Sequence, residues 1–190
     1  MVHIKRYLKD ELQQRISSEK PKIQVIYGAR QVGKTTLVNE LLSDLQCKIL
    51  RLSGDDSDDT RRVSNRDTEK LKSLVQGYDV LFIDEAQKVQ DIGINLKILY
   101  DQVPELTIIV TGSSSLELAN KVKEPLTGRL QTTLLYPISI LELKQHFTNI
   151  EIEKKLESYL IFGSYPDIFS QDTEEDKKNY LSELSSSYLY

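Results

Sequence analysis

The chain has 190 residues, 39% hydrophobic and 28% charged, with a net charge of -4 at pH 7. This balance is that of a globular chain able to bury its own core, and it argues against nucleic acid held across the whole surface. The single cysteine excludes an internal disulfide, no apolar run reaches the ~18 residues of a membrane span, and the N-terminus lacks the apolar segment of a secretion signal, so a cytoplasmic protein is expected.

In chain order, Ile4, Leu8, Leu12 and Ile16 have helical spacing. "KIQVIYG" (22–28) reads as a strand, and Leu37, Val38, Leu41, Leu42 and Leu45 then repeat as a helix face. "CKILRL" (47–52) is a second strand, opened by Cys47, which is expected to be buried and inert. The polar stretch to about Asp67, with the acidic run "GDDSDD", reads as a solvated loop; its spacing does not fit a calcium loop. A short helix at 68–77, a strand at 79–84, a helix at 94–103 and a strand at 106–112 follow. "SLELANKV" (115–122) is helical and "LQTTLLY" (130–136) is the fifth strand. Alternation of this kind predicts an α/β fold with a parallel sheet covered on both faces.

From Pro137 onward the pattern is helical. Ser139 and Glu142 form a capping box, a helix at 151–162 stops at Gly163, "SYPD" turns, and a last helix begins near Asp172. Its stripe of Tyr180, Leu181, Leu184, Tyr188 and Leu189 meets no stop signal, which suggests the N-terminal piece of a longer protein. The expected domains are 1–137, an α/β core, and 138–190, a helical lid or linker leading to a C-terminal domain outside this sequence. His3 and His146 have no partner at ligand spacing and read as solvated.

The chemistry is concentrated in "YGARQVGKTTL" (27–37). Gly28, Gly33, Lys34 and Thr35 match G-x-x-x-x-G-K-[ST] between a strand and a helix, the context that the phosphate loop needs. Backbone N–H groups of Gly28, Ala29, Arg30, Gln31, Val32, Gly33, Lys34, Thr35 and Thr36 can curl round an anion, helped by the positive end of the helix. Lys34 reaches the β- and γ-phosphates, and the Thr35 hydroxyl ligates Mg2+. Arg30, at a non-glycine position of the loop, either stacks or pairs locally.

"VLFIDEAQ" sets Asp84 and Glu85 at the end of an apolar strand, where an acid is costly unless paired or facing an ion. Asp84 fits the Walker B role of holding Mg2+, and Glu85 can orient or deprotonate the attacking water. An acid beside the Walker B aspartate resembles the additional-strand ATPases. That resemblance implies a three-layer P-loop NTPase with strand order 5-1-4-3-2, the strand "LTIIVTG" being inserted beside the phosphate-loop strand.

"GARQVGKTTL", "FIDEAQ", "VTGSSSLEL", "EPLTGRL", "YPISILEL" and "FGSYPDI", in this order over nearly the whole chain, resemble a prokaryotic family of AAA+-superfamily ATPases. The Arg30-Gln31 pair and Gln87 are particular to that group, whereas "GSYPD" replaces its usual double glycine. Family members continue into a C-terminal domain similar to restriction-endonuclease folds. The resemblance implies a sensor hydroxyl from Thr111, Ser113 or Ser114, with Ser113 the choice and helix capping the alternative. It also puts Arg129 where an arginine finger occurs, against a structural ion pair; at an edge strand it would act in trans, in cis or not at all. Arg6 and Tyr7 are open between an adenine pocket and packing of the first helix.

The expected function is a MgATP-binding ATPase with Lys34, Glu85, Ser113 and Arg129 as catalytic candidates and Thr35 and Asp84 on the metal. The alternatives are an ATP-gated interaction module with negligible turnover, or the ATPase part of a DNA-linked regulator. Expected partners are the nucleotide and a homo-oligomer, with DNA only through the C-terminal domain, no membrane, and no nameable protein partner.

Overall fold

A computed structural model describes residues 4–19, 21–113 and 125–189. Five short strands, β1 (Ile23–Tyr27), β2 (Ile49–Ser53), β3 (Val80–Asp84), β4 (Thr107–Gly112) and β5 (Leu130–Leu134), pair in the order β2-β3-β4-β1-β5, every pair parallel. This is the order expected, with β4 lying between β1 and β3. Parallel neighbours require crossovers, and among the described residues helices lie between β1 and β2, between β2 and β3, and between β3 and β4.

Burial follows position in the sheet. β1, β3 and β4 are buried along almost their whole length, whereas the edge strand β2 alternates and the edge strand β5 buries only Thr133. Ile23, Val25, Leu81, Ile83, Ile108 and Val110 share one core with the helices α4 (Thr68–Val75) and α5 (Ile92–Gln102). The alternate residues Gln24, Ile26, Val80, Phe82 and Ile109 are buried too and point to the other face. Both faces are therefore covered, and the fold is a three-layer α/β sandwich.

On α2 (Lys34–Ser43), Leu37, Val38, Leu41 and Leu42 are buried, as their spacing predicts. Each is worth about 1.5–3 kcal/mol of burial, which anchors the helix whose first residue is Lys34. The N-terminal helix α1 is Leu8–Ile16, with Leu12 and Ile16 inside.

The polar stretch before Asp67 is not wholly a loop. Ser57–Val63 forms α3, with Asp56 accepting from the backbone of Asp58 and Asp59. Its charges run with the helix dipole, Asp58 and Asp59 in the first turn and Arg61 and Arg62 in the last. Only Val63 is buried, so no apolar periodicity announces the helix. Cys47 lies two residues before β2 and is half-buried, which corrects the expectation of a buried strand residue; burial and Asp79 push its thiol pKa up.

The chain divides into two compact units. The sheet belongs to one, Leu8–Gly28 with Lys34–Leu135; the other is Met1–Tyr7, Ala29–Gly33 and Tyr136–Tyr190. The second unit carries α6 (Ile140–Leu143), α7 (Asn149–Lys154), α8 (Leu156–Phe162) and α9 (Glu174–Leu189), around a core of Ile4, Ile138, Leu143 and Ile152. The single helix expected at 151–162 is two. A second capping box, Thr148 with Glu151, starts α7, and the chain breaks at Lys155 before α8 ends on Gly163, whose φ is 74°. Among the described residues no helix is long and apolar enough to cross a membrane.

Candidate functional site

Three strand ends of the sheet unit bring the predicted residues together. β1 leads into Gly28, and α2 begins with Lys34 and Thr35. Lys34 is 5% exposed and its Nζ donates to the Gly28 carbonyl at 3.0 Å. A buried ammonium is costly unless bonded, and this contact holds the side chain folded back along the loop. Ala29–Gly33 belongs to the other unit; there Val32 is fully buried, Arg30 is exposed, and Gln31 is held at φ 59°. Thr36 is exposed on the first turn of α2.

Asp84 closes β3. Its Oδ2 accepts from the Thr35 hydroxyl at 2.8 Å, and its Oδ1 accepts from the buried Thr111 hydroxyl and from the Glu85 N–H at 3.1 Å. Residues 49 and 27 positions away thus converge on one carboxylate. A hydroxyl and a carboxylate in contact are oxygen donors of the kind that Mg2+ takes.

Glu85 sits in the left-handed region, φ 47° and ψ 44°, just before a turn of 3-10 helix at Ala86–Lys88. For a non-glycine residue this conformation is strained by roughly 1–3 kcal/mol, so the surroundings must hold it. Two contacts do so. The Gly54 N–H donates to the Asp84 carbonyl at 2.8 Å, and a Cβ on Gly54 would lie 2.2 Å from the Glu85 carbonyl oxygen. The carboxylate is held as well: Ser113 Oγ donates to Glu85 Oε2 at 2.9 Å, and Gln87 Nε2 donates to the same oxygen at 2.5 Å and to Ser113 Oγ at 3.1 Å.

Of the hydroxyl candidates, Thr111 is bonded to Asp84 and Ser113 to Glu85; Ser114, the helix expected at 115–122, and His3 lie outside the described residues. Arg129 is not brought to the cluster. Its Nε and Nη2 donate to the Asp101 carboxylate at 2.8 and 3.2 Å, which raises its pKa, and its carbonyl accepts from the Ile23 N–H at the start of β1. The five residues of β1, at about 3.3 Å each, separate it from Gly28. Arg6 is buried in the other unit, as described below, and Tyr7 is exposed, its hydroxyl donating to the Leu141 carbonyl. His146 accepts from the Lys5 N–H. Sequence reasoning missed the parts played by Gly54 and Gln87. A glycine two residues after a predicted strand and a glutamine two residues beyond the acid pair were the available signals.

A family model described as an AAA domain matches residues 20–144, a span that takes in the whole sheet and both acids. The chain belongs to this AAA domain family. Two uncharacterized proteins of Methanocaldococcus jannaschii are similar to it, MJ1637 at 30% identity over 92% of the chain and MJ1544 at 28% over 89%. These alignments cover 40% and 41% of the two proteins, so the chain spans about two fifths of the length of the curated relatives it matches. Among solved structures, the Walker-type ATPase PABY2304 of Pyrococcus abyssi aligns with a TM-score of 0.60 and 17% identity, over 98% of this chain and 73% of its own. The Holliday junction branch migration motor RuvB of Thermotoga maritima aligns with a TM-score of 0.51 and 20% identity, over 83% and 52%. At these identities the likeness is one of fold, and the AAA domain shares the P-loop ATPase architecture of both.

Proposed function

We propose that this AAA domain binds MgATP and hydrolyses it. The observation that carries the reading is the contact of Thr35 with Asp84 beside a fixed Glu85, in a chain whose loop motif ends on Thr35. Lys34 would exchange the Gly28 carbonyl for β- and γ-phosphate oxygens. Thr35 and Asp84 would hold Mg2+, which supplies charge neutralisation on the phosphates when bound. Glu85 takes the proton of the attacking water. The water oxygen bonds to the γ-phosphorus in line with the leaving oxygen, the bond to the β–γ bridging oxygen breaks, and ADP and phosphate result.

Ser113 and Gln87 occupy Oε2 of Glu85, so they orient the carboxylate toward water through Oε1. The same contacts favour a second reading. A carboxylate with one oxygen engaged by two donors is locked in place, which suits an ATP-gated module that turns over slowly until a partner or the nucleotide rearranges the pair. Steady phosphate release separates the two: turnover stopped by Glu85→Gln supports the enzyme, and ATP binding with no release above background supports the gate. The absence of any MgATP binding by the wild-type chain would overturn both.

Arg129 lies too far from its own loop to reach the γ-phosphate. Any contribution it makes to turnover therefore comes from a neighbouring subunit in a homo-oligomer and rises with protein concentration. A restriction-endonuclease-like C-terminal domain, any DNA contact made through it, and a cytoplasmic location are further parts of this proposal.

A further inference from the structure

Arg6 and Glu142 are buried ions that the reaction above does not use, 7% and 5% exposed. Their contacts are all made within the helical unit. Arg6 Nε donates to Glu142 Oε1 at 2.9 Å, Nη1 donates to the Val32 carbonyl at 3.0 Å, and Nη2 donates to the Tyr136 carbonyl. Glu142 Oε1 also accepts from the Tyr7 N–H at 3.1 Å, and Oε2 accepts from the Ser139 N–H and hydroxyl at 2.8 and 2.9 Å. The guanidinium is thus clamped in one orientation by a carboxylate that is itself fully bonded.

Burial alone would raise the Glu142 pKa; the hydrogen bonds from Ser139 and Arg6 outweigh it and hold the group below the usual carboxylate range. The pair is charged, and a buried charged pair contributes little net stability compared with apolar residues of the same size. Stability does not account for its presence.

The Val32 carbonyl offers a reason. It shares a planar trans peptide with the Gly33 N–H, so the two groups point in opposite directions. Fixing the carbonyl on Arg6 fixes the N–H toward the opposite side. In a phosphate loop that side faces the anion. Gly33 has φ 94°, while a Cβ there would meet only Arg6 Nη1 and Pro166 Cγ at 3.7 Å, ordinary contact. Backbone freedom, and not space, calls for glycine here, and a glycine needs something outside itself to hold its peptide plane.

We propose that Arg6, clamped by Glu142, is a positioning residue that aims the Gly33 N–H at a nucleotide phosphate. This rests on the reading of the loop as a MgATP site. A cation on the carbonyl also polarises the peptide and strengthens its N–H as a donor. The brace joins the first residues of the chain and the capping box of α6 to the loop, and neither is part of the phosphate motif.

The test combines glycine-selective amide NMR with MgATP calorimetry on the whole chain. Arg6→Met leaves Glu142 as a buried unpaired charge and risks unfolding; the double variant Arg6→Met with Glu142→Gln removes both charges and keeps a capping box. Without ligand, the double variant is expected to shift the Gly33 amide resonance and leave those of Gly54 and Gly112 in place. Its MgATP affinity is expected to fall roughly ten- to a hundredfold, the loss of a hydrogen bond to a charged group. Should it fail to fold, Arg6→Lys keeps a charge beside Glu142 but loses the fork, and the same shift and loss are expected. A folded variant that binds MgATP as tightly as wild type overturns the positioning role alone. Wild-type protein that binds no MgATP overturns the reading on which it rests.

Discussion

At the C-terminal ends of β3 and β4, Asp84, Glu85, Thr111 and Ser113 are buried or half-buried and bonded to one another, to Thr35 and to Gln87. At the N-terminal ends of the same sheet, Arg129 pairs with Asp101, each side chain about a third exposed, and the exposed Asp79 carboxylate takes the Lys48 N–H. Both ends are rich in acids, yet only one combines backbone strain, close backbone approach and shared partners. Water screens the outer pairs, and such pairs typically contribute little. Where water is excluded, each hydrogen bond fixes the others. Ion pairing alone is thus a poor guide to chemistry in this sheet; interlocked groups at a strained residue are a better one.

Substitutions at the two ends can break this contrast. The largest effect is expected from Lys34→Ala, which should abolish MgATP binding with the circular dichroism spectrum unchanged. Calorimetry showing wild-type affinity would remove the loop from the function. Next, Glu85→Gln should retain MgATP binding and lower steady phosphate release about 10²–10⁴-fold, the range of a lost general base. Gly54→Ala should act through Glu85 at a distance from any phosphate. The new methyl cannot share space with the Glu85 carbonyl, so stability should fall by about 1–3 kcal/mol and turnover should fall while MgATP affinity holds. Unchanged turnover in a folded Gly54→Ala protein would mean that the Glu85 backbone needs no such support. The smallest effect belongs to the other end: Arg129→Ala should leave the melting temperature and MgATP affinity of the dilute chain within error. If turnover rises with concentration in the wild type and not in this variant, the two ends of the sheet meet across subunits.

The loop from Gly28 to Thr36 was legible because its chemistry is local: a strand, a spacing and a helix in one stretch. Asp84 and Glu85 were legible for the same reason. The strand order came from a resemblance carried by those acids, since register between distant strands leaves no local mark. α3 was hidden because it buries one residue, although Asp56 and the ordered charges after it were signs of a helix. The break at Lys155 was hidden inside a run that reads as one helix. Gly54, Gln87 and Arg6 act through space, on Glu85 or on Val32. Nothing in the residue types beside them says which backbone they will approach.

The strand order has one more consequence. β1, which leads into the phosphate loop, pairs with β4 and β5, in registers such as Gln24 with Ile109 and Ile23 with Leu130. β2 and β3 meet over a much shorter stretch, Ile49 with Val80. During synthesis the strand made first is therefore completed last. At ~5–20 residues per second, the 85 positions from Gln24 to Ile109 take roughly 4–17 s. For that interval the "IQVIY" segment emerges from the ribosome with neither edge paired, a stretch of β-branched and aromatic residues open to wrong neighbours. The acid cluster cannot be complete in that time, because Thr111, which donates to Asp84, has yet to follow.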